Sequence, residues 1–554
     1  MSKFFEAHKA TLFQAVKTSK SRDYWSAYPE IASGKIYGET AKDDQAAEFE
    51  ALLGNPFKLD QPTNGNWTGA ETSPYGKKLG VTYEDASAED IIAASKAAGK
   101  SWGSASVEER VGVALEMLER INKKSFLIAN AVMHTSGQAF MMAFQAGGPH
   151  AQDRGLEAVA YAYDAMTQTP NEVTWTKPQG KHDPIVLDKK FRVVPRGVAL
   201  VIGCATFPTW NSYPGMFASM VTGNAVIIKP HPMAILPMAI SIKIGRDVLK
   251  EAGFDPNVLM LAADTVDDPK TKDFVISDDV NIIDFTGSNA FGQWVRDNAG
   301  NAQVYTEEAG VNAITIHSTD NLRGMASNIA FSLSLYSGQM CTTPQNIFIP
   351  RDGIQTNDGK KSFDDVADAI KISLDKLLGD PARAAAILGA VQNPATLERV
   401  EAAGKLGKVV RGSQAVDGMD GARSATPTVV AVDAKNEEAY MQERFGPISF
   451  LIACDDIEDA IARAAGSAKS HGAITAALYS TNEDVIDAAT EAYAWGGAPL
   501  SINLTGNIYV NQSAAYSDFH VTGANPSGNA SLTDGAYVAN RFRIATVRRQ
   551  ASMA

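Results

Sequence analysis

Cys341 is placed where a thiol could act as a nucleophile. It follows the small-residue turn Ser337-Gly338-Gln339-Met340 and precedes the Pro-ended apolar run Asn346-Ile-Phe-Ile-Pro350, which would display the thiol at a strand edge in a cleft. A thiol of ordinary pKa, about 8.5, becomes reactive when a base or positive dipole favours the thiolate. Taken alone, a free cysteine is more often a small buried hydrophobe, so the upstream residues decide the reading. Phe285-Thr286-Gly287-Ser288 leaves an apolar strand and, by Gly292, has entered a helix. Its Gly-Ser turn would direct backbone N–H groups outward at a positive helix end, an anion site suited to a pyrophosphate. It is not the GxGxxG fingerprint, and such turns are common without a ligand. Thr222-Gly223-Asn224 through Lys229-Pro230-His231-Pro232 ends a strand in Lys229, and ligands of open α/β sheets bind at carboxyl strand ends. A lone lysine there is more often solvated; the two signals together carry more weight than either.

Regular elements must hold these groups. Ser87-Ala-Glu-Asp90 caps a helix through Ile91 and Ile92, and Ser106-Val-Glu-Glu109 is a capping box before Val111, Leu115 and Leu118. A further helix runs from about 151 to 166. From Val198 the chain alternates apolar strands (198–202, 225–228, 258–261, 281–285) with helices near 213–220 and 236–252. That pattern implies a parallel sheet covered on both faces, and a second series follows Gly310. Residues 173–196 carry Lys177, Lys181, Lys189, Lys190, Arg192 and Arg196, too much charge for a central strand, and read as an exposed hairpin. Arg541 to Val547 alternates as an edge strand that pairs beyond its own domain. Residues 1–75 show no sustained periodicity and read as an extension wrapped on the main body.

At 554 residues the chain has room for two or three domains, and its 45% hydrophobic content suits a soluble globular protein. Cys204, Cys341 and Cys454 are too few and scattered for a disulfide framework, no cluster has metal-ligand spacing, and no metal is expected. Without an apolar leader or a membrane-length run, a cytoplasmic location with no membrane partner is expected. The net charge of −13 argues against a nucleic-acid partner. Cys204 and Cys454 follow apolar strands and read as core residues.

Six motifs in order resemble the NAD(P)-dependent aldehyde dehydrogenases over roughly residues 80 to 550. They are Thr206-Phe207-Pro208, Gly223-Asn224 to Lys229-Pro230, Phe285 to Ser288, Glu307 with Gly310, Gly338 to Cys341, and Glu443-Arg-Phe445-Gly446-Pro447. The resemblance implies an α/β aldehyde dehydrogenase-like fold with two doubly wound α/β domains, one for cofactor and one for catalysis, plus a small β oligomerisation element. Residues 1–75 would be an N-terminal extension, 76–172 and 198–309 the cofactor domain, 310–510 the catalytic domain, and 173–197 with 535–554 the oligomerisation element of a homodimer or homotetramer. It also implies Cys341 as the thiolate that attacks an aldehyde, passing through a thiohemiacetal and a thioester to an acid. Glu307 would be the base for the hydrolytic water, although Glu308 is adjacent. Lys229, Ser288, Gly287, Gly292, Phe207, Glu443 and Phe445 would contact the dinucleotide.

Two departures bear on chemistry. Thr206 stands where the family has an oxyanion-binding asparagine, so its hydroxyl or the Cys341 N–H would take that task. Pro232 replaces a carboxylate usual in NAD-preferring members; with Lys229 and His231 nearby, NADP is expected to be preferred over NAD. Trp210, Asn211, Phe291 and Met340 are candidates for the substrate tunnel. A finer resemblance, through Phe191 to Pro214, Lys229 to Pro232 and Thr135-Ser-Gly-Gln138 to Gly147-Gly-Pro-His150, is to the PaaN type of phenylacetic acid degradation protein. It implies a CoA-thioester semialdehyde as substrate, with only the dehydrogenase step supplied. The basic hairpin could attract CoA phosphates, although subunit contact is its readier use. A CoA-acylating dehydrogenase and a non-catalytic binding protein on the same fold remain alternatives.

Overall fold

The computed structural model describes residues 3–308 and 310–551. A five-stranded, fully parallel sheet has the order 303–308, 280–287, 198–202, 225–229, 259–261. Every residue of Val198–Ile202 and Ala225–Lys229 is buried. Alternate residues feed two cores: Ala199, Val201, Val226 and Ile228 enter one, while Val198, Leu200, Ile202 and Ile227 enter the other. This is the two-faced burial that continuous apolar strands require. Ser87 and Ser106 cap their helices as expected, the second in a complete capping box with Glu109.

A seven-stranded sheet is built from 408–411, 428–433, 448–454, 346–350, 313–316, 476–479 and 500–502, parallel except at its first strand. Glu172–Gln179, His182–Pro195 and Phe542–Gln550 form a separate antiparallel sheet, so the C-terminal strand pairs with the hairpin. Val173, Trp175, Ile185, Ile544 and Val547 are exposed on it. No helix among the described residues is long and apolar enough to cross a membrane.

The N-terminal segment is more ordered than its sequence suggests. Lys3–Ser21 and Ala41–Leu52 are helices, and the first buries Phe4, Phe5, Leu12 and Ala15. Its approach is close because Gly112 has no side chain: a Cβ there would lie 2.5 Å from the Phe5 nitrogen. The apolar stripe was hidden by buried Thr18 and Ser19, polar groups that satisfy themselves on the helix backbone.

Two buried carboxyls fasten this segment. Asp153 accepts from Ser26 Oγ at 2.5 Å and Ala27 N at 3.0 Å, and Glu71 accepts from Ile235 N at 2.5 Å and Leu236 N at 3.0 Å at the start of helix Leu236–Glu251. Burial pushes both up to about 7. Because the folded values are raised, the stability they contribute is present below the unfolded value of about 4 and is lost as pH rises through about 7, a few kcal/mol by order of magnitude. Calorimetric melting temperatures should therefore fall between about pH 4 and pH 7 and level off above that, and Asp153→Asn should flatten the decline.

Candidate active site

Strand ends, loops and the N-terminus of helix Asn289–Asn298 surround a cavity of about 630 Å³. It runs from Lys229, His231 and Ser288 past Phe207 and Glu307 to Cys341, Arg399, Glu443 and Phe445. The turn before Cys341 is wound left-handed. Tyr336, Ser337 and Gly338 have φ of 53°, 50° and 63°, and two of them are not glycine. Surrounding contacts impose this: Tyr336 Oη donates to Ser136 O, Ser337 Oγ to Leu388 O at 3.1 Å, and Gln339 Nε2 to Ala390 O at 3.0 Å. Behind the thiol, Asn312 Nδ2 donates to Cys341 O at 2.7 Å and Thr343 O at 3.0 Å.

A Cβ on Gly338 would lie 2.4 Å from Gly446 O. Gly338→Ala should therefore combine a strained φ, of order 1–3 kcal/mol, with displacement of Cys341. A shift near 1 Å at a reacting group costs roughly 10²-fold, so kcat should fall by about that factor with the melting temperature reduced. Unchanged kinetics would refute this account of the turn.

Glu307 and Glu308 end strand Gln303–Glu308, and successive strand residues face opposite ways. Glu307 is 2% exposed; its Oε2 accepts from Asn211 Nδ2 at 2.7 Å and its Oε1 lies 2.9 Å from His520 Nε2. Glu308 instead pairs with Arg296. The two carboxylates, indistinguishable by type, thus separate into one beside the thiol and one in an ion pair. Cys341 Sγ, partly open to the cavity, is 3.8 Å from His520 Nε2. Burial, and then the charge of Glu307, push its thiol well above the usual range.

The Thr206 hydroxyl lines the cavity, with Cys204 Sγ at 3.9 Å, and one expectation about its neighbour needs correcting. Cys204 is not a core residue: it lines the cavity, near Asn211 Oδ1 at 3.5 Å, whereas Cys454 is buried. At Gly292 a Cβ would lie 2.4 Å from the Glu308 carboxylate Oε1. Phe291 stacks on Trp294 and lines the same cavity as Ser288 and Cys341. Of the other tunnel candidates, Trp210 meets His520 edge-on at 4.6 Å and Met340 Sδ accepts from Asn511 at 3.8 Å.

Lys229 carries no free charge for a 2′-phosphate. Its Nζ is 2.6 Å from Asp264 Oδ1, with both side chains 2% exposed. Burial, assisted by Lys229, lowers His231 to about 4, so the imidazole is neutral at pH 7. The electrostatic ground for preferring NADP is therefore missing.

The cavity fits a dinucleotide. Gly203 and Gly287 line it at strand ends, and a Cβ on either would lie 2.9 Å from Ser212 Oγ or 2.7 Å from the Phe285 ring. Ser288 caps its helix, accepting from Phe291 N at 3.4 Å. Phe207 stands edge-on to Tyr336 at 5.7 Å, and the Phe445 carbonyl accepts from Arg399. Glu443 is exposed at the mouth, yet desolvation by the walls pushes its carboxyl up to about 7 against the opposing effect of Arg399. Arg399 and His520 were not foreseen; neither lies in a motif whose spacing marks it.

Residues 65–546 match the profile of the aldehyde dehydrogenase family. The chain belongs to that family, a class of NAD(P)-dependent oxidoreductases. It is 52% identical to an NAD-dependent aldehyde dehydrogenase from Burkholderia multivorans, whose crystal structure superposes with a TM-score of 0.99 over 100% of both chains. A benzaldehyde dehydrogenase (NAD⁺) of Pseudomonas putida is 25% identical over 70% of this chain and 75% of its own length. A 1-pyrroline-5-carboxylate dehydrogenase of Bacillus cytotoxicus is 26% identical, and the match spans 62% of this chain and 65% of that protein. The fold alone is shared with a 1-pyrroline-5-carboxylate dehydrogenase from Thermus, at 19% identity and a TM-score of 0.75.

Proposed function

We propose that the chain oxidises an aldehyde to a free carboxylic acid through covalent catalysis at Cys341. The observation that carries this reading is Glu307, buried beside Cys341 with both oxygens held, at the inner end of the cavity. Cys341 Sγ adds to the carbonyl carbon, giving a tetrahedral thiohemiacetal; the oxidised product is a thioester on the same sulfur. Glu307 takes a proton from water, the hydroxyl attacks the thioester carbon, and the C–S bond breaks to release the acid. Ser288, Gly287, Phe207, Glu443 and Phe445 would hold the dinucleotide, with Lys229 bracing the strand end through Asp264. When bound, the dinucleotide supplies the electron acceptor at its nicotinamide ring.

The five-stranded region serves as cofactor domain and the seven-stranded one as catalytic domain. The exposed three-stranded sheet is the contact for a homodimer or homotetramer. The finer substrate reading is a CoA-thioester semialdehyde of aerobic phenylacetate catabolism, supported by the PaaN-type motifs around Phe191 to Pro214. A base positioned beside the thiol favours hydrolysis over acyl transfer to CoA.

Dinucleotide reduction with a panel of aldehydes, including benzaldehyde and a CoA-linked semialdehyde, tests these points together. The expected product is the free acid, with kcat/KM for NAD at least equal to that for NADP. An acyl-CoA product would replace hydrolysis by acyl transfer, and a strong NADP preference would show that a cation other than Lys229 meets the 2′-phosphate.

A further inference from the structure

Glu307, Cys341 and His520 come from three distant segments of the chain, and they present one oxygen, one sulfur and one nitrogen toward a common point. The three donor atoms all lie within 4.8 Å of one another, with His520 Nε2 2.9 Å from Glu307 Oε1 and 3.8 Å from Cys341 Sγ. We propose that these side chains form a binding site for a divalent cation of the zinc class, which shuts the enzyme down reversibly by occupying the Cys341 sulfur and the Glu307 oxygen. The site itself rests on the positions of the donors; the loss of activity rests on the roles given to Cys341 and Glu307 above.

The dimensions suit such an ion. Zinc holds nitrogen and oxygen ligands at about 2.0 Å and sulfur at about 2.3 Å, so a tetrahedral site spaces neighbouring donors roughly 3.3–3.5 Å apart. Here the N···O edge has only to open, and the S···N edge to close, by a few tenths of an ångström. The groups behind the donors are held in place, as ligand-orienting partners must be. Glu307 Oε2 is taken by Asn211 Nδ2 at 2.7 Å, which leaves Oε1 for the ion. Trp210 meets the His520 ring edge-on at 4.6 Å, and Leu532 N donates to His520 O at 2.8 Å. The next residue, buried and β-branched Val521, has φ of 61°, a conformation that persists only when its surroundings enforce it. Cys341 Sγ is partly open to the cavity, which gives the ion a way in and leaves a fourth position for water.

The charge of the site favours a cation as well. Burial and the charges of Glu307 and Glu443 oppose a bare thiolate at Cys341. A divalent ion reverses that balance, because it is the largest local charge and deprotonates a coordinating thiol outright. The step balances: the S–H bond breaks as the metal–sulfur bond forms, and the proton leaves to solvent. His520 stays neutral, binding through Nε2 with its single proton on Nδ1, and nothing changes oxidation state. Thiolate and carboxylate together neutralise the two positive charges. One sulfur, one imidazole and one carboxylate select zinc or cadmium, whereas magnesium and calcium call for sets of oxygen ligands.

Cadmium reads the sulfur directly, through a thiolate-to-metal charge-transfer band in the ultraviolet. Added to the full-length protein after treatment with a chelator, it should bind one ion per chain, produce that band, and protect Cys341 from iodoacetamide in peptide mass maps. EDTA should reverse all three. X-ray absorption of the zinc form should show one sulfur ligand at about 2.3 Å and lighter ligands at about 2.0 Å. Two sulfurs would place the ion between Cys341 and Cys204, and none would place it elsewhere; either result overturns the proposal. His520→Gln and His520→Asn should weaken zinc binding by calorimetry by at least about 100-fold, the upper end of what loss of an outer-shell partner costs, and an unchanged affinity removes His520 as a ligand. If those variants fail to fold, the spectra of the unaltered protein decide alone. Turnover is measured beside binding: zinc bound with these signatures while turnover continues would overturn the inhibition and count against Cys341 as nucleophile. Absence of binding, in an enzyme that Cys341→Ala inactivates, would refute the site and leave the reaction scheme standing.

Discussion

Cys341→Ala should reduce kcat by about 10⁵–10⁶, the scale seen when a covalent nucleophile is removed, while dinucleotide binding stays close to that of the unaltered protein. The reason is geometric. The left-handed turn is fixed by Tyr336, Ser337, Gln339 and Asn312, none of which depends on the sulfur, so the alanine variant keeps the cavity wall and loses the reacting atom alone. Cys204 is the one complication, because it lines the same cavity and titrates in the same field, with its thiol pushed up to about 11 by burial. Its Sγ faces Asn211 and Thr206 and has no His520 contact, so it should not substitute. Steady-state rates, fluorescence titration with the dinucleotide, and mass spectrometry of the protein mixed with aldehyde and dinucleotide would check all three statements. A covalent acyl adduct surviving in the alanine variant would move the nucleophile to Cys204.

The parts of this site that were legible in the sequence are those fixed by backbone pattern. Strands 198–202 and 225–229 are apolar at nearly every position because both faces are covered, and that burial is written directly in residue type. The turn before Cys341 was legible as a run of small residues around a glycine, whereas the contacts that wind it left-handed, to Ser136, Leu388 and Ala390, are tertiary. What was not legible depends on which side chain turns toward which. Glu307 and Glu308 are chemically identical neighbours, and only the position of the strand shows that one meets Asn211 and the other Arg296. Lys229 was assigned from its place at a strand end, but its charge is cancelled by Asp264, 35 residues further along the chain, as their numbering shows. His520 lies 179 residues from Cys341 in an irregular segment, with no spacing to mark it. Polar pairs of this kind are set by tertiary approach, which residue type and local periodicity do not encode.

Glu307→Gln should separate acylation from hydrolysis. The amide keeps the shape of the carboxyl: its oxygen can accept from Asn211 Nδ2, and its NH₂ can donate to His520 Nε2 if that nitrogen is unprotonated, so the hydrogen-bond frame survives. What is lost is the proton acceptor for water, a contribution of about 10²–10⁴ in rate. Steady-state turnover should fall by that factor, while rapid mixing shows a burst of reduced dinucleotide approaching one per active site, followed by slow release, with a thioester on Cys341 visible by mass spectrometry. The substitution also removes the negative charge that, after burial, most opposes the Cys341 thiolate, so the burst itself should not slow through loss of thiolate. A small thiol added to the quenched intermediate should release it by exchange, since the acyl group is then waiting for an acceptor. If the variant shows neither burst nor adduct, Glu307 is needed before the thioester forms; if it turns over normally, another group activates the water.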